Sequence, residues 1–248
     1  MDSSRLTDML TLSHALSSIV AASLPNRCAL CQQPLDRGAG LCDVCLDDGA
    51  LGSVCLHCHR SLERVPPYRC GACLKRKRWR PVISAFHYHG PIGPCVAHIK
   101  TRTQPQLVPP LARHLAGQID ALHRQGILPW PEALVPVPTH RARLRQLGFN
   151  PAWLVARALA TELELPLLDQ LVIKSRPTQL QHQLDGQARR DNLRDAFGVI
   201  EQGEGQQVAL VDDIITTGST LKSVTRTLGR AGVRVTQYWT LASALNRR

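Results

Sequence analysis

Four C-x-x-C pairs between Cys28 and Cys73 hold eight of the nine cysteines of this chain. The two halves of this segment repeat with an offset of 27 residues, and each half reads C-x2-C, then 10 or 11 residues, then C-x2-C. This spacing is close to that of tetrahedral four-cysteine zinc sites, whose binding energy folds segments too small to form a core. We predict structural Zn²⁺, two ions in all, held either one per repeat or by pairs that interleave between the repeats. The predicted ligands are Cys28, Cys31, Cys42, Cys45, Cys55, Cys58, Cys70 and Cys73.

Redox chemistry and histidine ligation are the alternatives for this segment. A redox C-x-x-C pair normally stands alone beside a βαβ pattern, so four pairs in tandem favour metal. His57 and His59 flank Cys58 and are interpreted as bystanders, because the cysteines already complete two sites. Cys95 lies beyond the repeat and is interpreted as a small buried hydrophobe. Closed all-cysteine sites leave no open coordination position, so the segment is predicted to be structural or to bind a partner.

The charge of the chain favours a polyanionic partner. Its 248 residues contain 30 Lys+Arg against 19 Asp+Glu, a formal net charge of +11. Nucleic acids and phosphorylated small molecules both fit this balance. Aromatic residues make up only 4%, which disfavours a single-strand binder that works by stacking bases. A basic run at 75–80 is either an anion contact or a solvated linker.

The N-terminal residues 1–24 carry apolar side chains at helical spacing, interrupted by polar ones, with Arg5 as their only basic residue. We predict an amphipathic helix rather than a secretion signal. No stretch approaches the roughly 20 apolar residues of a membrane span. The expected location is therefore the cytoplasm, where thiols stay reduced. We divide the chain into this helix, a zinc module with its basic linker at 25–80, and a domain at 81–248.

The third segment alternates short β-rich runs with helical stretches, which predicts an α/β domain with a mainly parallel sheet. The predicted strands are 82–87, 133–137, 171–173, 196–200, 208–211 and 233–241. The predicted helices are 93–100, 107–122, 151–163 and 219–230. Ligands of such sheets bind at the carboxyl ends of the strands.

One motif fits that location, the run VALVDDIITTGST at 208–220. An apolar run ends in Asp212 and Asp213, and a short polar turn then opens into a helix. Hydroxyls, backbone N–H groups and a helix N-terminus make a cradle suited to phosphate, while the carboxylates suit vicinal hydroxyls and a hard divalent cation. The combination describes a ribose 5-phosphate with Mg²⁺, and the alternative is a surface turn after a core strand. The predicted cradle residues are Thr216, Thr217, Gly218, Ser219 and Thr220.

The same run resembles the signature that binds phosphoribosyl pyrophosphate (PRPP) in type I phosphoribosyltransferases. The stretches FHYHGPI at 86–92, VPVPTHRARLRQLGFN at 135–150 and TQLQHQLDGQARRDNLRDAF at 178–197 extend the resemblance to the ComF/GntX family. Those proteins are associated with competence and DNA utilisation. They carry an N-terminal zinc module ahead of a phosphoribosyltransferase-like domain. The resemblance covers nearly all of residues 28–245 and implies a type I phosphoribosyltransferase-like α/β fold.

The resemblance also implies residue roles. Asp212 and Asp213 would bind the ribose hydroxyls of PRPP with Mg²⁺ nearby, and residues 216–220 would hold its 5-phosphate. The implied pyrophosphate loop comprises Val135, Pro136, Val137 and Pro138, with Arg141 or Arg145 as a charge partner. The implied mobile loop, which closes over the site in this fold, contains Arg176, Thr178, Gln181, Arg189 and Arg190. A solvated helix face is the alternative for the arginines at 141–145. Lys100 precedes Thr101 where the family often has a Lys-aromatic pair, and Leu147 replaces a common arginine.

Two functional hypotheses follow. In the first, the protein is an Mg²⁺-dependent phosphoribosyltransferase that moves phosphoribose from PRPP to an unidentified acceptor and releases pyrophosphate. In the second, it is a non-catalytic accessory protein of competence or DNA processing that binds single- or double-stranded DNA. The PRPP fold would then serve as a sensor or a remnant. No segment identifies an acceptor or an oligomeric state.

Overall fold

A computed structural model describes residues 26–35, 40–76, 79–100, 104–174, 197–200 and 205–245. The predicted N-terminal helix lies outside these residues. The strands are β1 (Val82–His87), β2 (Ala133–Pro136), β3 (Val172–Lys174), β4 (Phe197–Val199), β5 (Gln207–Ile215) and β6 (Arg234–Ser243). The helices are α1 (Asp43–Gly49), α2 (Gly71–Leu74), α3 (Gly93–Ile99), α4 (Val108–Arg124), α5 (Arg141–Leu147), α6 (Pro151–Leu163) and α7 (Ser219–Arg230). A short 3₁₀ helix, Pro105–Leu107, precedes α4.

Strands β1, β6, β5 and β2 lie side by side in that order and form a parallel sheet. Strands β3 and β4 form a separate antiparallel pair, with Lys174 opposite Phe197. The arrangement confirms the predicted α/β fold with a mainly parallel sheet.

The apolar run of β5 is buried on both faces of the sheet. Because side chains alternate along a strand, Ala209 and Val211 join one hydrophobic cluster, with α4 and α6, whereas Val208 and Leu210 join another, with α7. All four residues are fully buried. A strand covered on both faces reads as a continuous apolar run, which explains the VALV sequence.

Strand β5 continues four residues beyond its predicted end at Val211. Asp212 and Ile215 pair with Thr240 and Ser243 of β6, so the backbone stays extended past the apolar run. Asp212 and Asp213 therefore lie within the strand rather than after it.

Helix α5 is absent from the predicted helices, although a helical face was the alternative for its arginines. Its N-cap is His140, whose Nδ1 accepts a hydrogen bond from the N–H of Ala142 at 3.2 Å. The helix ends at Gly148, which has a φ of 74° that glycine adopts without strain.

The cysteine-rich segment packs against the outer edge of β1. Leu51 donates its N–H to the carbonyl of Ala85 at 2.7 Å, and Val82 donates to the carbonyl of Leu56 at 2.6 Å. Cys28 and Cys45 also belong to the same hydrophobic cluster as β1 and α4. The segment thus covers the edge of the sheet that would otherwise present unpaired backbone groups. The division of the chain at residues 24 and 80 stays a prediction.

Within the described ranges, no helix has both the length and the apolar character needed to cross a membrane.

Candidate functional site

The turn between β5 and α7 brings the predicted cradle residues together around one open hollow. Thr216, Thr217, Gly218, Ser219 and Thr220 line it together with Asp212, and its volume, including the mouth, is about 210 Å³. Gly218 has a φ of 68°, a conformation that side-chain-bearing residues rarely adopt, and it caps α7. The hydroxyls of Thr217 and Ser219 lie 2.9 Å apart. The first N–H groups of a helix have no partner inside it, so this end of α7 offers donors to an anion.

The two adjacent carboxylates occupy different environments. Each accepts a hydrogen bond from the N–H of the next residue, at 2.9 Å for Asp212 and 2.8 Å for Asp213. Asp212 is half-buried and lines the hollow, whereas Asp213 is only 5% exposed and does not line it. Consecutive residues of a strand point to opposite faces, which explains the separation. Of the two carboxylates, only that of Asp212 points towards the predicted phosphate cradle.

Burial raises the pKa of Asp212, and repulsion from Asp213 raises it further, while Lys100 opposes both effects. A bound divalent cation would offset the burial and the repulsion, and would so favour the ionised form of Asp212. Oxygen ligands of this kind suit Mg²⁺, so the donor set fits the predicted metal.

Two lysines that the sequence analysis did not place in the site approach the carboxylates. Lys100, the C-cap of α3, has its Nζ 3.2 Å from Oδ2 of Asp213. Lys174, at the end of β3, has its pKa lowered by burial and by Arg143, while Asp212 raises it. Arg143 of α5 therefore interacts electrostatically with Lys174. The sequence had instead predicted Arg141 or Arg145 as the arginine of the site. The position of Lys174 in the sequence, directly before the predicted mobile loop, was the signal that could have placed it in the site.

The predicted pyrophosphate loop lies beside the carboxylates. Strand β2 pairs with β5 through Pro136 and Val211, and the N–H of Val137 donates to the carbonyl of Val211 at 2.8 Å. Asn150 secures this loop, because its Nδ2 donates to the carbonyl of Val137 at 3.0 Å while its Oδ1 caps α6. Arg141 and Arg145 are exposed on α5, and neither forms a salt bridge to another described residue.

The predicted mobile-loop residues lie outside the described residues. They are Arg176, Thr178, Gln181, Arg189 and Arg190.

The eight paired cysteines form two clusters, one from each repeat, so the pairs do not interleave. In each cluster the four sulfurs lie within 4.8 Å of one another. The first cluster comprises Cys28, Cys31, Cys42 and Cys45, and the second Cys55, Cys58, Cys70 and Cys73.

The spacing of the sulfurs fits tetrahedral zinc. The sulfurs of Cys31 and Cys42 are 3.8 Å apart, and those of Cys58 and Cys70 are 3.7 Å apart. A tetrahedron with Zn–S bonds of about 2.3 Å places its sulfurs about 3.8 Å apart. His57 and His59 belong to neither cluster, as predicted. His59 is buried, and its Nε2 lies 2.8 Å from the carbonyl oxygen of Val82.

Comparisons with known proteins agree with this geometry. The phosphoribosyl transferase domain model matches residues 151–247. Competence protein F of Haemophilus influenzae is 34% identical over 223 residues, 88% of this chain and 97% of that protein. The DNA utilization protein YhgH of Salmonella typhi is 31% identical over 226 residues, 90% of this chain and 99% of that protein.

This chain belongs to the ComF/GntX family. The assignment rests on relatives that match it over almost their whole length. Among solved structures, adenine phosphoribosyltransferase from Saccharomyces cerevisiae is 17% identical with a TM-score of 0.36, over 54% of this chain and 69% of that chain. An overlay of that quality adds nothing to the assignment.

We expect the purified ComF/GntX protein to contain two zinc ions per chain. Cys31→Ser and Cys58→Ser each remove one ligand from one cluster, so each variant should retain one ion. Metal analysis by mass spectrometry measures the ratio, and Cys95→Ser, outside both clusters, is the matched control with two ions. Loss of both ions from either single variant would show that the clusters are not independent sites.

We expect Asp212→Asn to stabilise the protein against unfolding at neutral pH. Because the folded protein raises the pKa of Asp212, ionisation costs stability as the pH rises above the unfolded value of about 3.9. The gain should therefore shrink towards acidic pH, at about 1.4 kcal/mol per unit of pKa difference.

Urea unfolding between pH 4 and pH 8 measures the gain. Asp48→Asn, at an exposed position, is the control for the same chemical change. An Asp212→Asn protein that is less stable than the parent at pH 8 would contradict the expectation.

Proposed function

We propose that this protein binds PRPP together with Mg²⁺ at the β5–α7 turn and acts in DNA uptake or utilisation. The observation that carries the proposal is the single hollow lined by Asp212 and by residues 216–220. A phosphate at the N-terminus of α7 would lie next to a carboxylate that accepts hydrogen bonds from ribose hydroxyls. The names of the relatives, competence protein F and DNA utilization protein, support the biological setting.

The same residues support phosphoribosyl transfer. In that reaction the bond from C1 of the ribose to the acceptor forms while the bond from C1 to the pyrophosphate oxygen breaks. Pyrophosphate leaves with the electron pair, and the acceptor loses a proton. Mg²⁺ bound with PRPP would neutralise part of the charge on the leaving group. The chain itself contributes positioning by the α7 N-terminus and Asp212, and positive charge from Lys174 and Arg143.

Calorimetric titration of PRPP with Mg²⁺ tests the binding proposal. We expect binding by the parent protein and a loss of at least roughly tenfold in affinity for Asp212→Asn, since one charge-assisted hydrogen bond contributes about 1.5–3 kcal/mol. Asp48→Asn is the control with the same change of charge at an exposed position. An absence of heat with the parent protein would refute PRPP binding.

Pyrophosphate release then separates an enzyme from a sensor. The assay offers PRPP with bases, nucleosides or single-stranded DNA as acceptors. Release that depends on one acceptor identifies a transferase, and binding without release supports the non-catalytic alternative.

Direct DNA binding is the second candidate function, and a basic stripe on α7 favours it. Lys222, Arg226 and Arg230 are exposed and follow each other every four residues, about 6 Å apart along a helix. The pKa of His57 is lowered by burial and by Arg76, Lys222 and Arg69, so cations of the zinc module and of α7 share one neighbourhood. Arg69 also lies over the ring of Trp79 at 4.6 Å. A phosphate backbone is the ligand that such a surface suits.

We expect single-stranded DNA to bind with an affinity that falls steeply as salt rises. Lys222→Gln/Arg226→Gln should reduce the slope of log affinity against log salt by about 1.4, at roughly 0.7 per phosphate contact. Fluorescence anisotropy measures the slope. The control is Arg113→Gln/Arg124→Gln, which removes the same charge from exposed positions on α4. Equal slopes for the two double variants would exclude α7 as the binding surface.

A further inference from the structure

The two cysteine clusters differ in their exposure to solvent. In the first cluster Cys31 is exposed and Cys42 is half-buried, whereas Cys28 and Cys45 are buried. In the second cluster three cysteines are buried and Cys58 is half-buried. A small oxidant in solution therefore reaches two sulfurs of the first cluster but one sulfur of the second.

The two accessible sulfurs of the first cluster are also neighbours. Sγ of Cys31 lies 3.8 Å from Sγ of Cys42, so rotation of two side chains would bring them to the bonding distance of about 2 Å. In the second cluster, Sγ of Cys58 lies 3.7 Å from that of Cys70, but Cys70 is buried. A disulfide between two solvent-accessible cysteines is thus available in the first cluster and not in the second.

A positive charge lies beside the turn that carries Cys31. Nη1 of Arg27 donates to the carbonyl of Gln32 at 2.9 Å, and both residues are exposed. Because Gln32 directly follows Cys31, this hydrogen bond holds the guanidinium at the exposed C-x-x-C turn. Reactive cysteines are typical of such electropositive and solvent-accessible surroundings.

The buried half of the first cluster belongs to the core of the α/β domain. Cys28 and Cys45 share one hydrophobic cluster with Phe86 of β1 and Leu111 of α4. A metal ion bound by all four cysteines would tie this core to the exposed pair. Oxidation of the exposed pair would remove two of the four ligands, since the thiolate is the form that binds a metal.

We propose that Cys31 is a redox modification site, which hydrogen peroxide converts to a disulfide with Cys42, so that the first cluster loses its Zn²⁺ while the second keeps its own. The sulfur of Cys31 attacks one peroxide oxygen, the O–O bond breaks and hydroxide leaves, which produces a sulfenic acid. The sulfur of Cys42 attacks that of Cys31, the S–S bond forms, the S–O bond breaks and a second hydroxide leaves. The two sulfurs together lose two electrons to the peroxide, and two protons from solvent convert both hydroxides to water. This modification does not depend on PRPP binding at the β5–α7 turn.

Release of Zn²⁺ from the zinc-loaded full chain in excess hydrogen peroxide tests the proposal. Absorbance of the chelator pyridylazoresorcinol measures the released ion. We expect one of the two ions to leave in a fast phase, and the other to stay bound or to leave more slowly. Mass mapping of peptides after the fast phase should find Cys31 linked to Cys42. Dithiothreitol followed by Zn²⁺ should restore both ions.

A variant that keeps the metal without the reactive sulfur distinguishes the two clusters. Three cysteines and one histidine also bind Zn²⁺, so Cys31→His should hold both ions and lose the fast phase. Cys42→His carries the same expectation should Cys31→His not fold. Cys58→His is the matched control in the second cluster and should retain the fast phase. The proposal is overturned by a fast phase that survives Cys31→His, by equal release rates for both ions, or by a disulfide within the second cluster.

Discussion

The parallel pairing of β5 on both of its sides is the interaction on which the rest of the site depends. Neighbours β2 and β6 hydrogen-bond to β5, and both of its faces are buried. This confinement keeps the backbone extended beyond Val211 and places two carboxylates on opposite faces of one strand. The turn that follows has to reverse the chain at once, and Gly218 allows α7 to begin there. The site is therefore built into the core strand rather than added on a loop.

The edge of the sheet explains why the cysteine-rich segment packs against the α/β domain. Strand β1 is the outer strand, and the cysteine-rich segment supplies hydrogen bonds to Val82 and Ala85 along it. Cys28 and Cys45 are packed in the same cluster as the helices of the α/β domain. The second repeat has its own small cluster of cysteines, with Cys58 and Leu62 packed against it. The first cysteine cluster is thus coupled to the main core more directly than the second.

Positively charged side chains lie near the two carboxylates at the carboxyl edge of the sheet. Lys100 approaches Asp213 directly, and Lys174 with Arg143 lies in the electrostatic neighbourhood of Asp212. The exposed cations of α7 continue from the same turn. A phosphorylated ribose and a nucleic-acid backbone are both anions, so a single charge distribution serves both proposals.

Local signals in the sequence were enough to predict helices α6 and α7 with the observed bounds. Asn150 caps α6 and Pro151 starts it, while the cradle at 216–220 depends on residues that are consecutive in the chain. The four-cysteine spacing likewise predicted which cysteines form each cluster. Each of these features is set by chemistry within a few residues or by one repeated spacing, which is why it can be predicted without the fold.

The tertiary structure decided everything that depends on distant segments meeting. Pairing with β6 extends β5 past its apolar run, and the path of the chain assigns each cysteine cluster to its own repeat. Lys100 and Asp213 are far apart in sequence, so only the packing of α3 against the sheet could bring their charges together. The sequence by itself thus determined the family, the membership of the two cysteine clusters and the residues of the turn at 216–220. The fold decided which carboxylate faces the cradle and which charges surround it, because alternation along a paired strand and contact between separate elements exist only in three dimensions.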